Sequence, residues 1–115
     1  MNKTDANLLR LIFDAAQEAS SFIKGKTRSD LHADRMLVLA LVKSIETIGE
    51  IASKVSGEGK AECDGIPWGN IIDAPNYGTR IYFTIDPDIV WQTVTGELPS
   101  LVSALEKCLA SSAVE

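Results

Sequence analysis

"SDLHADRMLVLALVKSIETIGEIASKVSG", residues 29–57, decides the fold. Its later half sets Ile45, Ile48, Ile51, Ala52 and Val55 at three- and four-residue spacing, the mark of a helix with one buried face. Its centre, Met36 to Val42, is apolar on every face, and such a helix must be covered all round. Ser29 is the expected N-cap and Gly57 the expected end, which makes this the longest helix of the chain. One domain of three or four helices has too little chain to cover it completely. The surplus face therefore predicts a subunit contact and a homodimer.

Upstream, Leu8, Leu9, Ile12, Phe13, Ala16, Ala19, Phe22 and Ile23 form one apolar stripe. That helix is expected to start at Thr4 or Asp5 and stop at Gly25. Downstream, "GEGKAECDG" (57–65) reads as a polar loop. Pro67 suits the first turn of a short helix that turns Trp68, Ile71 and Ile72 inward. The last helix opens with Asp86 as N-cap and Pro87 at its first position, with Asp88 adding favourable charge. Val90, Val94, Leu98, Leu101, Val102 and Leu105 continue its stripe, and Pro99 should kink it near Thr95–Gly96. The sequence contains no convincing strand or repeat. The expected fold is a single all-α domain over residues 1–115, an up-and-down helical bundle.

Sixteen acids against eleven bases give a net charge of −5. That balance argues against a chain that coats nucleic acid, because phosphate affinity grows with the Lys and Arg delivered. Lys24, Lys26, Arg28, Arg35 and Lys43 read first as a solvated face. Cys63 and Cys108 lack the spacing of a zinc site, and two thiols in an acidic helical chain fit a reducing cytosol. The N-terminus is charged too early for a secretory segment, and no apolar run approaches a membrane span. A soluble, cytoplasmic protein away from membranes is expected. His32, the only histidine, lies among Asp30, Asp34 and Arg35 and reads as a surface residue, as do Glu46, Glu50, Glu58 and Glu62. Trp68 and Trp91 read as core.

Between the short helix and the last one lies "IIDAPNYGTRIYFTID" (71–86), whose middle reads as a chain break. Pro75 and Gly78 each cost roughly 1–3 kcal/mol inside a helix. The segments around it, "DRMLVLALVKSIETIGEIASKVS" (34–56), "IPWGNII" (66–72) and "YFTIDPDIVWQTVTGELPSLVSALEK" (82–107), resemble the HepT-like family, a branch of the HEPN helical domains. The resemblance covers nearly the whole chain, in order.

It implies a homodimeric helical bundle that serves as the toxin of a HEPN/MNT toxin–antitoxin pair. The resemblance further implies a metal-independent ribonuclease (RNA endonuclease), so RNA is the implied substrate and no cofactor is implied. Their motif is an Arg, four to six residues, a His, and a Tyr two residues later, paired across the dimer. His serves as general acid or base near neutral pH, and Arg stabilises charge at the phosphorus. The implied partner is a minimal nucleotidyltransferase (MNT) antitoxin, which silences the toxin by attaching AMP to that Tyr.

Aligned on "NII" and "YF", the motif Arg falls on Pro75 and the motif His on Arg80, while Asn76 and Tyr82 match. Arg80 cannot shuttle protons, since its pKa lies above about 12, but it can bind phosphate. The candidate site residues are Arg80 and Asn76, with Tyr82 as the AMP-acceptor slot. Two explanations stand for the break. One is an inactive member that keeps dimerisation and antitoxin binding. The other is a local frame disturbance in the gene, because a possible codon choice for residues 73–82, read one nucleotide later, encodes Met-Arg-Arg-Ile-Met-Glu-His-Ala-Tyr. A non-enzymatic dimeric module that docks a nucleotidyltransferase and binds nucleotide or RNA is the alternative to the ribonuclease reading.

Overall fold

The computed structural model of the chain describes residues 1–72, 86–112 and 114. Its elements are α1 (Lys3–Phe22), α2 (Arg28–Ala33), α3 (Arg35–Ala52), α4 (Gly57–Glu62), α5 (Trp68–Ile72), α6 (Pro87–Gln92), a π-helical turn (Thr93–Glu97) and α7 (Leu98–Ser111). No strand occurs among the described residues, so the fold is all-α, a helical bundle. α1 lies along both α3 and α7, α5 packs on α3, and α6 packs on α2.

The N-cap of α1 is Asn2 rather than Thr4 or Asp5; its side-chain oxygen accepts from the Asp5 N–H at 2.7 Å. The expected stripe is largely the buried one. Leu9, Ile12, Ala16 and Ala19 are enclosed, Leu8, Phe13 and Ile23 are half-buried, and Phe22 is exposed. Gly25 follows the helix with φ +75°, a left-handed conformation that glycine adopts without a side-chain penalty.

The long helix expected over 29–57 is three elements. A capping box starts the first: the Thr27 hydroxyl accepts from the Asp30 N–H and the Asp30 carboxylate accepts from the Thr27 N–H, so Thr27 and not Ser29 is the cap. Asp34 then leaves the helical region (φ −123°, ψ 87°) and accepts from the Leu37 N–H at 3.0 Å. It closes α2 and caps α3. A short acid that offers the backbone a local acceptor competes with helix continuation, and here it wins. α3 ends at Ala52, and the stretch from Gly57 onward is a helix rather than a loop, because Ser56 caps it through the Gly59 N–H at 3.1 Å.

That cap is tied into the core. The Asp5 carboxylate, 2% exposed, accepts from the Ser56 N–H at 3.0 Å and from the Ser56 hydroxyl at 2.5 Å. A Cβ on Gly59 would lie 2.6 Å from Asp5 Oδ2, so only glycine permits this approach. The N-terminal ammonium of Met1 sits 3.1 Å from a Glu62 carboxylate oxygen, beside the same corner.

The last helical stretch starts as expected, and where a kink near Thr95–Gly96 is expected it makes a π-helical turn. The Asp86 side chain accepts from the Asp88 N–H, and Pro87 opens α6. Pro99 has no N–H to give and its ring crowds the carbonyl one turn back. The helix responds by widening: the Leu98 N–H bonds to the Thr93 carbonyl, five residues back. Hydroxyls of Thr93, Thr95 and Ser100 bond back to Ile89, Trp91 and Gly96 carbonyls around the wide turn. The interior is filled by Leu9, Ile12, Leu31, Leu41, Val90, Val94 and Leu105, all essentially inaccessible. Each such side chain contributes about 1.5–3 kcal/mol by leaving water.

The cysteines correct the expectation of free thiols. Cys63, at the end of α4, and Cys108, on α7, form a disulfide with Cα atoms 5.6 Å apart. They are separated by 45 positions, so no local spacing announces the pair.

Candidate functional site

Two short helices flank residues 73–85, the segment on which the resemblance places the motif slots. α5 precedes it and α6 follows it. α5 is held from the outside: the Trp68 indole N–H reaches the carbonyls of Lys60 and Cys63, at 3.2 and 3.0 Å, and Ile71 and Ile72 pack on the core. Trp68 and Trp91 are both half-buried against that core, as expected. α6 is held by its cap and by the burial of Val90. Asn76, Arg80 and Tyr82 lie outside the described residues, as does Pro75.

Beside the start of α6 the structure assembles a charged group. Arg28 and His32 are one turn apart on α2, so both project to the same side. His32 Nε2 lies 2.8 Å from Asp88 Oδ1, and Arg28 Nε lies 3.6 Å from that same oxygen. The bond from His32 holds the Asp88 carboxyl below the ordinary carboxylate range, with the charges of His32 and Arg28 adding to it. His32 is a surface residue, as expected, yet a partnered one. Its partner was read from sequence only as a helix-dipole charge. The Arg28–His32 spacing is visible locally, but the acid that meets it is 56 positions away.

With all three side chains about half exposed, water screens the group strongly. It can fix α2 against α6, and it presents guanidinium N–H groups to solvent. It does not enclose a reacting atom.

A cavity of about 460 Å³ lies between α3, α5 and the π turn. Ile45, Ile48, Ile71, Leu98 and Leu101 give it apolar walls, and Asn70, Gln92 and Glu97 supply polar groups. Among the described residues that line it there is no Arg, Lys or His to neutralise a phosphate. No group of three His, Cys, Asp or Glu able to hold a metal occurs among the described residues. No helix among them is long and apolar enough to cross a membrane.

The central helix leaves part of its apolar surface uncovered. Within "MLVLALV", Val38 and Leu41 are buried, but Met36 is 82% exposed, Leu39 37%, and Ala40 is exposed as well.

An all-α bundle with short helices flanking one segment is a HEPN-like architecture. A model of the ribonuclease HepT-like family matches residues 12–108, and the chain belongs to that family. It is 25% identical over 107 residues to a protein of Thermococcus cleftensis named as a probable ribonuclease HepT, covering 93% of this chain and 97% of that one. A protein of Caldanaerobacter subterraneus subsp. tengcongensis, named as a candidate RNase, is 27% identical over 93% of this chain and 96% of its own. A third relative, from Methanocaldococcus jannaschii, is named as a gamma-glutamylcyclotransferase and candidate RNase. It is 26% identical over 95% of this chain, which spans about half of that protein's length (49%). No solved structure matches the chain.

Proposed function

We propose that this chain is a HepT-like toxin component of a HEPN/MNT toxin–antitoxin module, acting in the cytoplasm as a homodimer of one helical domain. Its ancestral reaction is metal-independent cleavage of RNA, and as written it cleaves little or none. The observation that carries the reading is the family match over residues 12–108, set against the identity of two positions within it. Pro75 and Arg80 stand where the family has its Arg and His. A proline has no charge to offer a phosphorane, and a guanidinium with a pKa above about 12 cannot exchange a proton near neutrality. Arg80 keeps the capacity to bind phosphate, Asn76 matches the family pattern, and Tyr82 keeps the slot to which an MNT-type nucleotidyltransferase attaches AMP.

The uncovered Met36, Leu39 and Ala40 support dimerisation, because an apolar strip on a central helix gains by being covered. The loss of both motif side chains, with the rest of the family pattern kept, favours a second reading: a non-enzymatic dimer that docks a nucleotidyltransferase and binds nucleotide or RNA.

Incubating the purified chain with tRNA and mRNA in chelator tests the first reading, and co-purification with a nucleotidyltransferase encoded by a neighbouring gene tests the module. Robust cutting that survives removal of contaminating nucleases would refute the claim of inactivity. A stable complex without cutting supports the second reading.

A further inference from the structure

We propose that Cys63–Cys108 is a reversible thiol–disulfide exchange site whose co-reactant is a dithiol, and that its redox state governs how firmly the turn leading into α5 is held. The inference stands on the disulfide and its surroundings, independent of the ribonuclease reading.

Four observations carry it. First, the bond joins the end of α4 to α7 across 45 positions, and Cys63 is the hub of the turn that follows. Its carbonyl accepts from the Ile66 N–H at 3.1 Å and from the Trp68 indole at 3.0 Å. Second, an open cleft of about 510 Å³ runs along the disulfide, lined by both cysteines with Asp64, Ser103, Lys107 and Ser111, so a small dithiol has room to approach. Third, Cys108 Sγ lies 3.8 Å from the Glu62 carbonyl oxygen and 3.7 Å from the Ser112 hydroxyl. A disulfide sulfur has no hydrogen to donate, but the Cys108 thiol released on reduction has the Glu62 carbonyl within reach as an acceptor. Fourth, both cysteines are nearly enclosed, 3% and 8% exposed, at the edge of the hydrophobic core, where reduced cysteine packs as a small hydrophobe. The site thus accommodates both redox states.

In the forward step a thiolate of the dithiol attacks Sγ of Cys108, the more exposed of the two residues. The Cys63–Cys108 bond breaks and Cys63 leaves as a thiolate, which takes a proton from water. The second thiol of the reductant, deprotonated, then closes on the mixed disulfide. It expels the Cys108 thiolate, which is protonated beside the Glu62 carbonyl. Two electrons pass to the protein and the reductant becomes a cyclic disulfide; the reverse step uses that cyclic disulfide as oxidant.

The whole chain is equilibrated with mixtures of reduced and oxidised dithiothreitol, and free thiols are trapped with a polyethylene-glycol maleimide. Unreduced peptides are mapped by mass spectrometry, and amide exchange is followed over residues 66–72. A single two-thiol transition is expected, the same from both directions, with a 63–108 peptide link in the oxidised form. Helical circular dichroism should be retained on reduction. Exchange over 66–72 should rise by about tenfold or more, well within the destabilisation that releasing a crosslink of this loop length can cause. Cys63→Ser and Cys108→Ser should share the raised exchange and ignore dithiothreitol; if either fails to fold, the chemically reduced wild type carries the comparison. Two labelled thiols at every ratio, none at any ratio, loss of fold on reduction, or unchanged exchange over 66–72 would each overturn the proposal.

Discussion

His32 Nε2 and Asp88 Oδ1 lie 2.8 Å apart, joining α2 to α6 across 56 positions of sequence. The bond from His32 is the largest influence on Asp88 and lowers its carboxyl pKa, with Arg28 a smaller contributor through charge. Following the Asp88 carboxyl carbon by NMR should therefore place its midpoint below that of an ordinary aspartate. In His32→Ala the midpoint should move back up, and in Arg28→Ala it should move less. Since the folded carboxyl is depressed, its contribution is present above the unfolded value of about 3.9 and is lost as pH falls through the folded one. Equal midpoints in wild type and His32→Ala would show that the pair does not persist in solution.

The buried corner at Asp5 should be more sensitive than any surface pair. Asp5→Ala leaves the Ser56 N–H and hydroxyl without their acceptor, at a cost of about 1–3 kcal/mol by denaturant unfolding at neutral pH. Gly59→Ala should cost a similar amount, about 1–3 kcal/mol, because its methyl meets the Asp5 carboxylate. In an Asp5→Ala background the Gly59→Ala penalty should shrink, and additive losses would refute this geometry.

The same carboxylate predicts an acid response. Ser56, through its N–H and then its hydroxyl, lowers the Asp5 pKa, against some opposition from burial. The unfolded chain then binds the extra proton, so stability rises with pH through this window. Wild type should lose stability as pH falls below about 4, and Asp5→Asn should be less stable at pH 7 but flatter below about 4. Parallel curves for the two proteins would count against the assignment.

Dimerisation, proposed from the uncovered face of α3, is open to a direct test. Met36→Glu with Leu39→Glu places two charges on that face without touching Val38 or Leu41. Light scattering should show a dimer for wild type and a monomer of unchanged helicity for the variant. A wild type that is monomeric at high concentration would end the proposal.

Restoring the motif side chains offers a gain-of-function test. Pro75→Arg with Arg80→His supplies the guanidinium and the imidazole at the family spacing. Metal-independent RNA cleavage should rise above that of wild type, and each single substitution should fall well short of the pair. Sequencing the DNA across residues 73–82 separately decides the frame-disturbance explanation, which fails if no codon shift can yield the motif.

Helix positions were largely legible in the order of residues. The stripes of α1 and α7 and the Asp86–Pro87 start of α6 follow from rules that act within one or two turns, and Pro99 marks where the helix departs from regularity, though by a widened turn and not by the expected kink alone. The division of residues 29–57 was missed although its signals were local. Asp34 and Ser56 each cap a helix inside a stretch whose apolar run suggests continuity, and a short polar side chain that bonds the backbone locally overrides that periodicity. Membership of the HepT-like family was legible too, since it rests on the linear pattern itself.

Only the tertiary structure decided who meets whom. Asp5 finds Ser56 across 51 positions, His32 finds Asp88 across 56, and Cys63 finds Cys108 across 45. Spacing within a helix says which face a side chain occupies. It carries no information about the distant residue brought to that face, because that pairing follows from the packing of whole helices around a shared apolar core.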